Sequence, residues 1–172
     1  MSKKLSDKHL NTYVSLDIET TGLNNRNDEI IELGVVKFNE LTTLDTFQSL
    51  VNPYKELPKF IKDLTGITQP DVNSAPPFSV LASELESFVG TYPIVGQNVG
   101  FDLGFLSSKG LNFSNPYYDT RDIAYILLPY LKDYSLNSLL KHLDIKNINP
   151  HRALQDAKAT ALVFLALKTL AS

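Results

Sequence analysis

The sequence predicts an α/β fold in which a mixed sheet is flanked by helices. Two patterns lead to this prediction. Strand-like segments occupy the first third of the chain, and helical periodicity dominates the remainder, where one more short strand lies between helices. The 172 residues are 43% hydrophobic and 20% charged, which is an ordinary composition for one globular domain of this length.

Three strand candidates open the chain, each rich in residues that favour extended backbone. They are Tyr13–Ile18, Ile30–Phe38 and Thr43–Val51, and the third distributes its side chains alternately between two faces. Short polar turns at Asn24–Asp28 and Asn39–Glu40 join these segments. We therefore expect an antiparallel three-strand meander.

Helices are predicted for most of the remaining sequence. Apolar residues recur near helical spacing in Pro77–Val89, and a short strand is predicted at Pro93–Gly96. The last helix, Ala153–Leu170, carries apolar residues around nearly its full circumference, so we expect it to pack on the sheet. Three further helices are predicted at Phe101–Lys109, Thr120–Leu128 and Ser135–His142.

The chain divides into a polar extension, residues 1–11, and a single predicted domain, residues 12–172, because no break within the latter is long enough for a linker. The extension lacks the apolar segment of a signal peptide. The apolar stretch at 157–170 is too short to span a membrane and contains two lysines. We therefore expect a cytoplasmic protein without membrane contact. The absence of cysteine excludes disulfides, thiolate catalysis and thiolate–zinc sites.

Two acidic residues, Asp17 and Glu19, stand at the end of the first strand candidate. Side chains two apart on a strand point to the same side, so the carboxylates are presented together. Like charges this close are costly unless a cation or a proton compensates them. A solvated acidic face and a metal site are both compatible with the pair alone. The apolar strand before it and Thr20-Thr21-Gly22 after it favour the metal site.

A third acidic residue, Asp102, falls in the first turn of a predicted helix. An acidic side chain there complements the helix dipole, which is a sufficient structural explanation. Phe101 and Phe105, four residues apart, form an apolar face beneath it. Taken alone, Asp102 is therefore predicted to be structural.

His151 and Asp156 are five residues apart, which on a continuous helix would separate their side chains by about 140°. They can meet at one site only if His151 precedes the helix, and Pro150 favours such a start. A histidine on a loop at the mouth of a site suits a general base. The alternative is a surface histidine, which is the interpretation we favour for His9 and His142.

Taken together, these segments resemble the DEDDh 3′–5′ exonuclease family. Asp17–Gly22 matches its first motif, Asn98–Asp102 the second and His151–Ala157 the third. Leu64–Thr68 resembles a segment that many members carry between the first two motifs. The likeness extends over 13–167, and the chain resembles the proofreading epsilon subunits of bacterial DNA polymerase III and exonuclease domains attached to bacterial helicases.

The resemblance implies an RNase H-like fold and makes residues 12–172 an exonuclease domain. It implies two divalent ions, magnesium or manganese, and carboxylate oxygens are the ligands that such cations prefer. Asp17 would bridge both ions, Glu19 and Asp156 would complete the shell of one, and Asp102 would act directly or through water. His151 would accept the proton of the attacking water, and nucleoside 5′-monophosphates would leave from the 3′ end.

The resemblance also implies residues around the terminal nucleotide. Leu23 would wedge against the last base and Phe101 would line the pocket, although core packing explains Phe101 equally well. Many relatives carry histidine where this chain has Gln97, and glutamine cannot carry a positive charge, so weaker phosphate contact or turnover is expected. The implied positions are Thr20, Leu23, Thr65, Gly66, Gln97, Asn98 and Phe101.

The net charge of −3 gives no broad basic surface for nucleic acid. Without the four candidate site carboxylates the remaining chain carries +1. We therefore expect a short grip on a strand end rather than tight, non-specific binding to duplex.

The expected substrate is the 3′ end of single-stranded DNA in proofreading or repair, with a polymerase or a helicase as partner. Trimming of RNA 3′ ends is the alternative, because the metal chemistry does not distinguish the sugars. A catalytically silent binding module would predict at least one lost carboxylate. A glycosidase built on Asp17 and Glu19 would leave Asp102, His151 and Asp156 unexplained.

Overall fold

The computed structural model describes residues 11–146 and 149–172, so residues 1–10 of the predicted N-terminal extension lie outside the described part. Its centre is a five-stranded sheet with the strand order β3-β2-β1-β4-β5. The strands are β1 (Tyr13–Thr20), β2 (Ile30–Phe38), β3 (Thr43–Leu50), β4 (Ile94–Gly96) and β5 (Tyr117–Asp119).

The sheet is mixed, as predicted. β2 pairs antiparallel with both β1 and β3, which forms the expected meander. β4 pairs parallel with β1, and β5 pairs parallel with β4. The carboxyl ends of β1, β4 and β5 therefore lie at one edge of the sheet, where ligands bind in many α/β proteins.

Seven helices lie within the described residues. α7 has the predicted bounds, and the predicted helices that became α3 to α6 differ from the structure by one residue at one or both ends. The helices are α1 (Lys59–Thr65), α2 (Gln69–Asn73), α3 (Phe78–Val89), α4 (Gly100–Ser108), α5 (Thr120–Leu127), α6 (Leu136–His142) and α7 (Ala153–Leu170). In the part of the chain that the structure describes, no helix is both long and apolar enough to cross a membrane.

The helices cover both faces of the sheet. On one face, Leu16 and Ile18 of β1 share a buried cluster with Leu85 of α3 and Phe105 of α4. On the other face, aromatic and apolar residues of β1 and β2 pack against α7, with Phe164 among them. α5 and α6 contribute to a further cluster with α7. This two-sided burial explains why α7 is apolar around nearly its full circumference.

Candidate active site

Three carboxylates converge where β1 ends and α7 begins. Because side chains alternate along a strand, Asp17 and Glu19 lie on the face of β1 that packs against α7, while Ile18 enters the opposite core. Asp156, in the first turns of α7, is 9% exposed. One oxygen from each of the three carboxylates lies within 4.8 Å of the others. Residues of the first and third sequence motifs thus meet.

Burial and mutual repulsion oppose ionisation of this acidic group. Desolvation, followed by the charges of Asp102 and Glu19, raises the pKa of Asp17 well above its usual value. Desolvation, followed by the charges of Asp156 and Glu32, raises the pKa of Glu19 to about 8. The site therefore holds more negative charge than its surroundings compensate, which is the electrostatic condition of a cation site.

Asp102 reaches the same strand from the other face of the sheet. It lies in the first turn of α4, is 4% exposed, and its Oδ1 accepts a hydrogen bond of 3.0 Å from the Ile18 N–H. β4 ends at Gly96, so β1 continues beyond its parallel neighbour, and Asp102 provides an acceptor there. Desolvation raises the pKa of Asp102 to about 8, although the Ile18 N–H bond acts in the opposite direction. Asp102 therefore joins the electrostatic group of Asp17 while also satisfying the main chain.

His151 precedes α7, as its meeting with Asp156 requires. α7 begins at Ala153 with Arg152 as its N-cap, and His151 adopts a left-handed backbone with φ of 63°. That conformation is uncommon for a residue other than glycine. The His151 N–H donates a 3.0 Å hydrogen bond to Asp156 Oδ2, which links the backbone of the candidate base directly to the acidic group.

Gly34, which the sequence analysis did not single out, lets α7 approach the sheet. It lies on β2 opposite Asp17. A Cβ atom at Gly34 would lie 2.1 Å from the Ala153 carbonyl carbon and 2.1 Å from the Leu154 nitrogen, so only hydrogen fits there. This close approach brings Asp156 to the carboxylates of β1.

Glu32, also missed from the sequence, fixes the start of α7. It lies opposite Glu19 and is 0% exposed. Its carboxylate accepts hydrogen bonds from Arg152 Nε (3.1 and 3.2 Å) and Nη2 (2.8 Å), from the Ala153 N–H (3.0 Å) and from Gln48 Nε2 (2.8 Å). The signal in the sequence was a lone acidic residue inside the apolar run of β2, two positions before Gly34.

Leu23 and Phe101, predicted to contact the terminal nucleotide, line one open cleft of about 470 Å³. Leu23 is 87% exposed, which suits a residue that contacts a ligand. Phe101 packs against Phe105 with ring centroids 4.8 Å apart and is only partly buried. The Phe101 ring therefore contributes both to the core and to the cleft, and the contacts of Leu23 and Phe101 with a nucleotide stay predictions.

The loop that carries Leu23 is organised around Asp28. The Asp28 carboxylate accepts hydrogen bonds from Thr21 Oγ1 (3.2 Å) and from the Asn24 N–H (3.0 Å). A Cβ atom at Gly22 would lie 2.5 Å from Asp28 Oδ2. A larger residue at position 22 would displace this carboxylate, so Gly22 permits the close packing of Asp28 in the loop that carries Leu23.

The other predicted nucleotide-binding residues have structural partners of their own. Thr20 Oγ1 donates to the Gly22 carbonyl at 2.6 Å, and Thr65 Oγ1 donates to the Ile61 carbonyl at 2.8 Å. Gly66 ends α1 in the left-handed conformation, with φ of 72°. The contacts of Thr20, Thr65 and Gly66 with a nucleotide stay predictions.

Gln97 joins separate segments of the protein. Its Oε1 accepts from Thr120 Oγ1 and its Nε2 donates to the Tyr134 carbonyl, each at 2.6 Å. The N–H of Asn98 donates to Asp119 Oδ1 at 2.9 Å. Asp119 also caps α5, and an aspartate directly before a helix was the signal that could have identified it. The nucleotide contacts of Gln97 and Asn98 likewise stay predictions.

A mixed RNase H-like sheet carrying half-buried carboxylates at the end of its first strand defines a hydrolytic nuclease. Residues 14–164 match the RNase T exonuclease family. The chain therefore belongs to this exonuclease family, and the resemblance to DEDDh 3′–5′ exonucleases is confirmed. The acidic cluster is compatible with divalent-metal binding.

The chain is also similar to one segment of a much larger enzyme. It is 42% identical over 153 residues to a DNA polymerase III PolC-type from Clostridium perfringens. That match covers 87% of this chain and 11% of the relative.

Solved structures with low sequence identity show the same fold. The nuclease domain of 3′hExo, a DEDDh family member bound to rAMP, superposes with a TM-score of 0.77 at 24% identity, covering 96% of this chain and 94% of that one. E. coli Exonuclease I in complex with a dT13 oligonucleotide superposes with a TM-score of 0.78 at 21% identity, covering 92% of this chain and 41% of that one.

Proposed function

We propose that this chain is a metal-dependent 3′–5′ exonuclease domain of the proofreading type, which releases nucleoside 5′-monophosphates from single-stranded DNA. The observation that carries the proposal is the convergence of Asp17, Glu19 and Asp156 within 4.8 Å. The likeness to a segment of a PolC-type DNA polymerase supports DNA as the substrate and a polymerase as the partner. We place the protein in the cytoplasm, where replication occurs in bacteria.

The donor set fits hard divalent cations. All candidate ligands are carboxylate oxygens, and the raised pKa values of Asp17 and Glu19 reflect charge that a cation would compensate. We assign Asp17, Glu19, Asp102 and Asp156 to hold two magnesium or manganese ions. When bound, these ions supply the positive charge that favours a reactive water and stabilises the departing 3′ oxygen.

Proton transfer and binding of the nucleotide are assigned to other residues of the protein. His151 is assigned as the general base, because it precedes α7 and its N–H binds the carboxylate of Asp156. Leu23 and Phe101 are assigned to the terminal nucleotide, because they line the same cleft. The other assigned nucleotide contacts are Thr20, Thr65, Gly66, Gln97 and Asn98.

The reaction is tested with 5′-labelled single-stranded DNA and, separately, RNA of the same sequence on a denaturing gel. Each is incubated with magnesium, manganese or EDTA. A ladder that shortens from the 3′ end only with metal supports the proposal, and faster cleavage of DNA supports proofreading. Faster cleavage of RNA would favour the trimming alternative. Folded protein that degrades neither substrate with either metal would refute exonuclease function for the isolated chain.

Two variants separate the roles within the site. His151→Ala should lower turnover by about 10²–10⁴-fold, the usual contribution of a general base, while manganese binding persists. Asp17→Asn should weaken both turnover and manganese binding, which calorimetry measures. Asp45→Asn, an exposed change on β3, serves as the control and should resemble wild type. Wild-type turnover in both site variants would show that the assignment is wrong.

A further inference from the structure

Glu32 is a buried carboxylate that the proposed reaction does not use. It has no exposed surface, so its charge requires compensation from within the protein. Two of its partners, the Arg152 guanidinium and the Ala153 N–H, belong to the two residues that start α7. The third partner, Gln48, lies on β3. The carboxylate thus ties the beginning of α7 to the sheet.

His151 stands immediately before this anchored pair. Its left-handed backbone is restrained on one side by the hydrogen bond to Asp156 Oδ2 and on the other by Arg152, which Glu32 holds. An uncommon backbone conformation persists only where its surroundings impose it. If Arg152 were released, the backbone of His151 would be restrained only on the Asp156 side, and the imidazole could move away from the acidic cluster.

We propose that Glu32 is a positioning residue for His151, acting through Arg152 and the Ala153 N–H. This inference rests on the proposed role of His151 as general base. Glu32 contacts neither the substrate nor the reacting atoms. Its function is to fix the backbone that carries the imidazole.

The test compares ion pairs at the two ends of α7. Glu32→Gln removes the charge at the start of the helix, and Arg152→Lys removes the planar fork while leaving Glu32 intact in case the first variant folds poorly. Glu40→Gln is the matched control, because the Glu40–Lys168 pair of 2.6 Å joins the far end of α7 to the sheet. The first two variants should lower kcat by about 10–100-fold with little change in KM, and Glu40→Gln should leave kcat unchanged.

A double-mutant cycle distinguishes positioning from general destabilisation. Once His151 is alanine, Arg152→Lys should lower kcat by less than about twofold further, because the group it positions is gone. If the two substitutions lowered kcat by independent factors that multiply in the double variant, the inference would be overturned. The His151 ring resonances in NMR spectra should move in Arg152→Lys and not in Glu40→Gln, and unmoved resonances would also overturn it. This spectroscopic result holds even if the wild-type chain proves inactive, which would refute the proposed function instead.

A second, independent feature is a polar groove of about 510 Å³ at the carboxyl ends of β4 and β5. Arg121 and Lys132 line it together with Gln97, Asn98 and Asp133. Both cations are exposed, and neither forms a salt bridge within the described part of the chain. The Arg121 guanidinium donates to a neutral group of the groove, Asn98 Oδ1, at 3.4 Å.

Two lysines that contact the loop beside the other cleft differ, because both already have acidic partners. Lys109 pairs with Glu29, and Lys55 lies 4.0 Å from Asp28 and donates to the Asn27 carbonyl. The acidic residue of the groove, Asp133, is engaged locally, because its carboxylate oxygens accept hydrogen bonds from the N–H and the hydroxyl of Ser135. The groove therefore presents cationic groups that remain available to an anion.

The groove lies beside the candidate active site along one edge of the sheet. β1, which carries the acidic cluster, is the parallel neighbour of β4, and the Asn98–Phe101 turn separates the groove from the cleft of Leu23. We infer that Arg121 and Lys132 bind backbone phosphates of the strand upstream of its 3′-terminal nucleotide. This inference rests on the proposed exonuclease function and adds the path of the substrate strand.

The test uses Arg121→Gln/Lys132→Gln with two substrates of different length. KM for a single-stranded 12-mer should rise about tenfold. The slope of log KM against log[salt] should fall by about 1.4, the value for two lost phosphate contacts. Hydrolysis of the p-nitrophenyl ester of thymidine 5′-monophosphate, which has no upstream phosphate, should not change. Lys158→Gln, which removes a cation from a separate cleft beside the β2–β3 turn, is the control for charge loss away from the groove.

An unchanged KM and salt dependence for the 12-mer would overturn the groove assignment. Equal losses on both substrates would also overturn it, because they would indicate general damage to the site. If the wild type cleaves neither substrate, the proposed function fails. Binding of the labelled 12-mer, measured by fluorescence anisotropy in calcium, would then still test the groove.

Discussion

Replacing Gly34 with alanine tests whether the contact between β2 and α7 sets the geometry of the candidate site. The added Cβ would lie 2.1 Å from main-chain atoms of Ala153 and Leu154, where an ordinary contact begins at 3.4 Å. The start of α7 must therefore retreat by about 1.3 Å, the difference between these two distances. A backbone cannot rotate out of the way as a side chain can, so the displacement carries His151 and Asp156 with it.

The expected loss of turnover is large because catalysis depends on this placement. A displacement of about 1 Å in catalytic groups can cost about 10²-fold in rate, and overpacking typically costs about 1–3 kcal/mol of stability. Turnover is measured on single-stranded DNA, and the free energy of unfolding by urea denaturation. We expect Gly34→Ala to lose about 100-fold in kcat while remaining folded.

Leu167→Ala supplies the matched control for stability. Leu167 is fully buried near the end of α7, roughly 16 Å along the helix from Asp156, and its truncation should cost about 2–5 kcal/mol. It should nevertheless retain wild-type kcat under conditions where it is folded. If Gly34→Ala kept wild-type kcat, or if Leu167→Ala lost as much as Gly34→Ala, close approach of α7 would not determine the site geometry.

Three further outcomes follow from the same structure. The folded-state pKa values of Glu19 and Asp102, about 8, lie above their ordinary 4.5 and 3.8, so the unfolded chain releases these protons first as pH rises. Urea denaturation in EDTA should therefore show that the free energy of unfolding falls between about pH 5 and 8, by at most about 1.4 kcal/mol per pH unit for each group. Manganese should reverse this fall. A free energy of unfolding that does not change with pH would contradict the prediction. Asp102→Asn keeps an acceptor for the Ile18 N–H and removes a charge, so activity should drop about 100-fold while metal-free stability at pH 8 rises. Leu23→Ala should raise KM for DNA several-fold without a change in stability. Leu41 is also highly exposed, and Leu41→Ala should change neither quantity, as Michaelis–Menten kinetics and melting will show.

The parts of the fold that the sequence predicted are those with long, regular patterns. α7 spans five turns and has the predicted bounds, and β2 matches the predicted Ile30–Phe38. The short elements were predicted unevenly. β4 and α6 were found, whereas α1, α2 and β5, of seven, five and three residues, were not, because so few positions give a weak periodic signal. β1 extends to Thr20, two residues beyond its prediction, because a shift in register after Glu19 keeps it paired with β2.

For the candidate site too, the sequence predicted the features that depend on local pattern and missed those that depend on contacts between distant segments. The shared direction of Asp17 and Glu19 follows from strand alternation, and the position of His151 before α7 follows from helix geometry and Pro150. Glu32 bonds to Arg152 across 120 residues of sequence, so its role depends on how α7 docks and has no local pattern.

The chain compensates its buried acidic charges unequally. Glu32 receives a guanidinium, a main-chain N–H and an amide, whereas burial and neighbouring carboxylates raise the pKa values of Asp17 and Glu19. Arg152 lowers the pKa of Glu19, but burial, Asp156 and Glu32 all act more strongly in the opposite direction. A cluster intended only to stabilise the fold would be better served by neutral or paired side chains. Local electrostatic consistency fails at the junction of β1 and α7, and such failures are expected where a protein binds and acts. The uncompensated charge of the cluster is therefore itself an argument that cations complete it.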